Sequence, residues 1–141
     1  MNKVMVIGSG TMGLAIAQVF AQNGYEVLVR DITDDIINAS EAKLNKGLDR
    51  LISKGKMTED DKKAITGRMT FTTELGGAAD ADLIIEAAVE NLKIKQGIFE
   101  ELDCICKPET IFATNTSSIS ITAIAAAIGR ADKFIGMHFF N

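Results

Sequence analysis

The chain of 141 residues is poor in several residue types at once: one proline, one histidine, one tyrosine, two cysteines and no tryptophan. A single proline leaves no proline-rich linker that would split the chain into separate modules. The cysteines, Cys104 and Cys106, sit too close in sequence for ordinary bridging, and on a helix they point to different faces. They read as reduced, buried or half-buried thiols. With one histidine in the whole chain, a metal or redox centre lacks ligands, and no metal is expected. Basic charge is short as well: 15 Lys and Arg against 19 Asp and Glu leave a net charge of −4. No surplus exists to neutralise a nucleic-acid backbone. No apolar stretch approaches the roughly 20 residues that cross a bilayer. The opening run MNKVMVIGSG breaks at Gly8 and lacks signal-peptide anatomy. The expectation is a cytoplasmic chain that partners neither membrane nor nucleic acid.

What is present belongs to a folded domain. The apolar share is 47% and the charged share 24%, which excludes global disorder. Short apolar runs alternate with helical patterns. Val4–Ile7 reads as a buried strand closed by glycine, Thr11–Gln22 as a helix stopped at Asn23-Gly24, and Tyr25–Val29 as a second strand. Two helices follow, Thr33–Lys54 and a short charged one capped by Thr58 and ending near Arg68. Strands are expected at Met69–Thr73, Asp82–Ala87, Thr110–Thr114 and Phe134–Phe140. A brief helix or turn is expected at Glu74–Ala79, and helices at Asn91–Cys106 and Ser120–Ile128. Strands alternating with helices imply α/β architecture: a Rossmann-type doubly wound, mainly parallel sheet, with a helical insert after the second strand. All 141 residues form one domain in this reading. The chain stops directly after an apolar strand, so truncation, with a further domain missing, is expected.

Gly8-Ser9-Gly10-Thr11-Met12-Gly13 matches G-x-G-x-x-G in the context that gives the pattern meaning: a strand before it, a helix after it and an acid ending the next strand. Gly8 permits the tight turn, Gly10 lets a pyrophosphate approach the backbone, and Gly13 lets helix and strand pack closely. The N–H groups opening the helix, Thr11 and Met12 among them, hold the phosphates. Asp31 lies 18 residues past Gly13, near the spacing of about 20 at which an acid accepts from a ribose 2′-OH. Its charge repels a 2′-phosphate and favours NAD over NADP, although the adjacent Arg30 is of a type that accommodates one. Further polar residues fall at strand ends, where an open parallel sheet binds its ligands: Glu90-Asn91, Asn115-Thr116-Ser117-Ser118, His138 and Asn141.

GSGTMG, VRD, EAAVENLKIK, ATNTSSISIT and GMHFFN, in this order, resemble the 3-hydroxyacyl-CoA dehydrogenase family, and most of all its short bacterial branch acting on 3-hydroxybutyryl-CoA. The resemblance spans the whole chain. It implies an NAD-binding Rossmann domain followed by a helical domain, through which the full-length protein forms a homo-oligomer. It also implies the interconversion of 3-hydroxyacyl-CoA and 3-ketoacyl-CoA. His138 matches the family's base and Ser117 the serine that meets both substrate hydroxyl and nicotinamide. Glu90 and Lys95 match cofactor-proximal positions, Asn115 and Asn141 residues lining the nicotinamide and acyl pocket, and Lys54 a basic contact to the CoA phosphates. Neutral imidazole, with a reference pKa near 6.5, suits proton abstraction at neutral pH. The family's carboxylate that orients the histidine comes after the last residue here, so the expected behaviour is NAD binding with little or no turnover. Two other readings remain at this stage: a dehydrogenase of free β-hydroxyacids, which shares a G-x-G-x-M-G opening, and a non-catalytic dinucleotide-binding module.

Overall fold

The computed structural model describes residues 1–87, 91–115 and 118–137, with 118–120 as backbone. Its elements are β1 (Lys3–Ile7), α1 (Thr11–Gln22), β2 (Glu26–Arg30), α2 (Asp34–Ser53), α3 (Glu59–Arg68), β3 (Met69–Thr72), β4 (Leu83–Glu86), α4 (Leu92–Ile105), β5 (Ile111–Thr114), α5 (Ser118–Ala125) and β6 (Phe134–Gly136). Short 3-10 turns at Gly76–Asp80 and Ala131–Lys133 precede β4 and β6. The strands form one sheet in the order β3-β2-β1-β4-β5-β6, and every described pairing is parallel. Order reverses between β1 and β4, the switch point where such sheets open a crevice at the carboxyl ends of their strands.

Alternation along β1 builds a core on each face of the sheet. Val4 and Val6 pack with Leu14, Ile16 and Ala17 of α1, Leu44 and Leu48 of α2 and Ile65 of α3. Met5 and Ile7 face the other way, toward Phe99 and Leu102 of α4, Phe112 of β5, Ile124 of α5 and Phe134 of β6. Strands covered on both faces run apolar through their middles, which is why Val4–Ile7 of β1 and Leu83–Ile85 of β4 carry no in-out alternation of polarity.

Local chemistry sets the helix ends. Thr33 caps α2 by accepting from the Ile36 N–H at 3.2 Å, Asn91 caps α4 by accepting from Ile94 at 3.1 Å, and Thr58 and Asp61 form a reciprocal capping box on α3. Two elements depart from expectation. α5 ends at Ala125 rather than Ile128, because the chain tightens there: Ala127 and Ile128 bond back three residues, to Ile124 and Ala125. That turn brings the Gly129 N–H and the Arg130 guanidinium onto Asp103, at 2.8 and 2.6 Å. The buried Arg130 also donates to the carbonyls of Asp103, Cys106, Lys107 and Thr110, closing the end of α4. β6 is described only over Phe134–Gly136, and the rest of the expected strand beyond Met137 lies outside the described residues. Cys104 is exposed, and Cys106 is buried with its thiol pushed up to about 11 by loss of solvent. No helix among the described residues is long and apolar enough to cross a membrane, and none of their His, Cys, Asp and Glu side chains cluster as a metal site.

Candidate functional site

The glycine loop joins β1 to α1 at the switch point, and each glycine has a separate physical reason. Gly8 adopts φ 106°, a left-handed value that a side chain disfavours. A Cβ on Gly13 would stand 1.9 Å from the Gly8 carbonyl oxygen, so the start of α1 lies against the end of β1 only because position 13 is bare. Gly10 is different. Its φ of −68° suits any residue, and a Cβ there would meet nothing within 4 Å. The fold does not require glycine at position 10, and the space beside it is open for a ligand that approaches the main chain. α1 begins there with no side-chain cap and no acid in its first turn. Its first-turn N–H groups and positive dipole end suit an anion.

Asp31 follows β2 on the same side. Its Oδ2 accepts from both the N–H and the hydroxyl of Ser9, each at 2.8 Å, and its Oδ1 accepts from the Ile32 N–H at 2.8 Å. Ser9 is buried within the loop, and the buried Ser40 of α2 donates to its carbonyl at 2.9 Å or its hydroxyl at 2.8 Å. Sequence reasoning passed over Ser40. The available signal was a polar residue among the inward positions Ile37, Leu44 and Leu48 of an amphipathic helix. Beside Asp31 lies an apolar cavity of about 150 Å³, lined by Ile7, Gly8, Arg30, Asp31, Ile32, Ile94 and Ile98. It is shaped by the end of β1, the end of β2 and the first turns of α4. A flat apolar base with a hydroxylated sugar next to it fits such a slot and its flanking carboxylate. Arg30 donates its Nε to the Thr73 carbonyl at 3.0 Å, which ties that side chain to the backbone after β3.

Across the switch point, at the carboxyl end of β4, Glu86 and Lys95 form a buried ion pair at 3.1 Å, 0% and 2% exposed. The Thr114 hydroxyl donates to the same carboxylate at 2.6 Å. Lys95, expected near the cofactor, is thus held at the base of α4 by a strand residue that sequence reasoning did not select. The Asn115 N–H extends the β4–β5 ladder by donating to the Glu86 carbonyl at 2.9 Å. Lys54 is the exposed C-cap of α2. It lies roughly 20 Å along the helix from Ser40, by the rise of 1.5 Å per residue. Glu90, Ser117, His138 and Asn141 lie outside the described residues.

The loop, the acid and the apolar slot adjoin one another at the switch point. The family model described as the NAD binding domain of 3-hydroxyacyl-CoA dehydrogenase matches residues 3–141. A probable 3-hydroxybutyryl-CoA dehydrogenase of Deinococcus radiodurans is 50% identical over 99% of this chain and 50% of its own length. A 3-hydroxybutyryl-CoA dehydrogenase of Clostridioides difficile is 49% identical with the same coverage. The crystal structure of an (S)-3-hydroxybutyryl-CoA dehydrogenase from Ralstonia eutropha superposes with a TM-score of 0.95 at 45% identity, over all of this chain and 50% of that one. The chain therefore spans about half the length of these relatives. It belongs to the 3-hydroxyacyl-CoA dehydrogenase family, as the NAD binding domain.

Proposed function

We propose that these 141 residues form the cofactor-binding half of an oxidoreductase that interconverts a 3-hydroxyacyl-CoA and its 3-ketoacyl-CoA, with 3-hydroxybutyryl-CoA and acetoacetyl-CoA as the substrate pair. One observation carries the reading: an open position at Gly10 and a fixed acid at Asp31 share one rim, linked through Ser9. NAD, when bound, supplies the hydride acceptor or donor. The protein's own work is then to grip, orient and manage one proton. The first-turn N–H groups of α1, at Thr11 and Met12, hold the diphosphate, Asp31 takes the ribose hydroxyls, and the isoleucine slot takes the base.

For the reacting end, the TNTSS and HFFN motifs support the following roles. His138 removes the hydroxyl proton as hydride leaves carbon, a role that contributes about 10²–10⁴-fold in general-base catalysis. Ser117 donates to the substrate oxygen and holds its pose. Glu90 and Lys95 serve the cofactor, Asn115 and Asn141 serve the nicotinamide and acyl pocket, and Lys54 meets the CoA phosphates. By themselves these 141 residues bind the cofactor and turn substrate over very poorly or not at all.

The deciding experiment is a fluorescence titration of NADH and NADPH, each with and without acetoacetyl-CoA, alongside a rate assay. NADH binds at least tenfold tighter than NADPH, and acetoacetyl-CoA is reduced far more slowly than by the full-length relatives. No binding of NADH would overturn the function. Full-length rates would overturn the view of this chain as one half of the machinery.

A further inference from the structure

We propose that Lys43, on α2, is a direct ligand of the dinucleotide's diphosphate, so that a side chain from the helical insert completes the cradle made by the glycine loop. The inference rests on the NAD reading above. Lys43 Nζ lies 3.0 Å from the Thr11 hydroxyl, at the first residue of α1. Both residues are exposed, which places the ammonium at the open lip of the loop and not in the core. Next to Thr11 is Gly10, the position with no protein atom within 4 Å of where a Cβ would stand. Among the described residues Lys43 forms no ion pair, whereas Lys3, Lys62, Lys95, Lys107 and Arg130 each meet a carboxylate. A cation that meets only a hydroxyl, beside an uncapped helix start without acids, stands in a positive field with room for an anion.

Ser40 makes this placement more than a surface lysine's wandering. It precedes Lys43 by three residues, is buried, and donates its one hydroxyl proton to Ser9 inside the loop. The Ser9 hydroxyl in turn donates a hydrogen bond to Asp31. The turn of α2 that bears Lys43 is therefore fixed to the loop, and the lysine stem has only the lip to span. A diphosphate also occurs in CoA, but Lys43 contacts the first residue of α1, which ties it to the dinucleotide.

The test titrates NADH, ADP-ribose, adenosine and free CoA against the wild type, Lys43→Gln, Lys43→Arg and Lys46→Gln, with thermal melts to check folding. Lys46 is a second exposed lysine on the same helix, with no described contact to the loop. Lys43→Gln weakens NADH and ADP-ribose about 3- to 10-fold, the range for losing a charge-assisted hydrogen bond at an exposed site. Adenosine and free CoA are unaffected, Lys43→Arg restores most of the affinity, and Lys46→Gln matches the wild type. Raising the salt narrows the gap between wild type and Lys43→Gln. Unchanged NADH binding in Lys43→Gln overturns the proposal, as does an equal loss for adenosine, or a loss confined to free CoA. A wild type that binds no NADH instead overturns the NAD reading on which the proposal stands.

Discussion

Ser9 gives both its main-chain N–H and its hydroxyl to a single oxygen of Asp31, at 2.8 Å each. The residue between the first two glycines thereby turns the loop and the acid into one unit. With Oδ2 occupied twice and Oδ1 accepting from Ile32, the carboxylate is fixed in rotation, and Oδ1 keeps a further lone pair. In the proposed site, where the loop holds the diphosphate and Asp31 the sugar, such a linkage would lower the ordering cost of binding.

Asp31→Asn tests that unit. An amide presents one oxygen and an NH2 group, so it cannot satisfy both Ser9 donors and also accept from ribose. NADH affinity should fall about tenfold, equivalent to roughly 1.4 kcal/mol. NADPH affinity should fall less, because the repulsion against a 2′-phosphate disappears with the charge. The measurement is the ratio of the two dissociation constants. A ratio equal to that of the wild type would remove Asp31 from cofactor selection.

Gly10→Ala and Gly13→Ala separate binding from folding within one loop. A methyl at position 13 collides with the Gly8 carbonyl oxygen, and overpacking against main chain costs about 1–3 kcal/mol or more. Its melting temperature should drop by several degrees. A methyl at position 10 meets no protein atom, so stability should change by less than about 0.5 kcal/mol. NADH binding should nevertheless weaken at least tenfold, because the methyl fills the approach to the main chain. Unimpaired NADH binding by Gly10→Ala would show that the phosphates sit elsewhere.

The contrast between legible and illegible features follows from sequence separation. The strand-loop-helix start was readable because its glycines and flanking apolar runs act within a dozen residues. The alternation of strands and helices, the insert after β2 and the caps were readable for the same reason. Ser40 and Ser9 are 31 apart, Lys43 and Thr11 are 32 apart, and neither pair belongs to a local pattern. The cavity beside Asp31 joins Ile7 of β1 to Ile94 and Ile98 of α4, a meeting set by strand order and not by any motif. Glu86 falls inside the expected strand Asp82–Ala87 without standing out, and only the parallel register, which places it beside Thr114, discloses its place under the crevice. The expected end of α5 at Ile128 falls late because Gly129 looks like a helix stop. The stop comes earlier, where Asp103 draws the chain in through Gly129 and Arg130.

Glu86 and Lys95 should behave as a pair whose halves cannot be lost separately. Glu86→Gln leaves an ammonium buried beside a neutral amide. Breaking a buried pair in this way costs about 3–5 kcal/mol, or roughly 10 °C in melting temperature for a domain of this size. The double substitution Glu86→Leu with Lys95→Met removes both charges at similar volume and should recover at least half of that loss. NADH affinity should stay reduced in the double variant if Lys95 serves the cofactor as well as Glu86. Denaturant titration and NADH titration on the same variants distinguish the two roles. An additive double variant would mean that the two charges are not energetically coupled.

Asp82, just before β4, ties the start of β1 to the segment between α4 and β5. It accepts from Lys107 Nζ at 2.6 Å and from the N–H groups of Asn2 and Lys3 at 2.8 and 3.0 Å. The Lys107 hydrogen bond, followed by the two backbone donors, holds its carboxyl well below the ordinary value of 3.8. The folded state therefore binds fewer protons than the unfolded chain as acid is added. The stabilisation is complete above about pH 4 and is lost as pH falls through the depressed folded-state range. Asp61 and Asp80 are lowered as well, by hydrogen bonds from Thr58 and Lys3, and share this window. Asp82→Asn should thus flatten the acid limb of the melting curve between about pH 4 and pH 2 without abolishing it. The mirror effect lies at high pH: the same contact raises the Lys107 ammonium above 10.5, so its stabilisation is present at neutrality and fades as alkali strips that proton. Because the group is close to solvent, salt should shrink both effects. Parallel acid limbs for wild type and Asp82→Asn would show that this three-way contact organises the strand ends without contributing to acid stability.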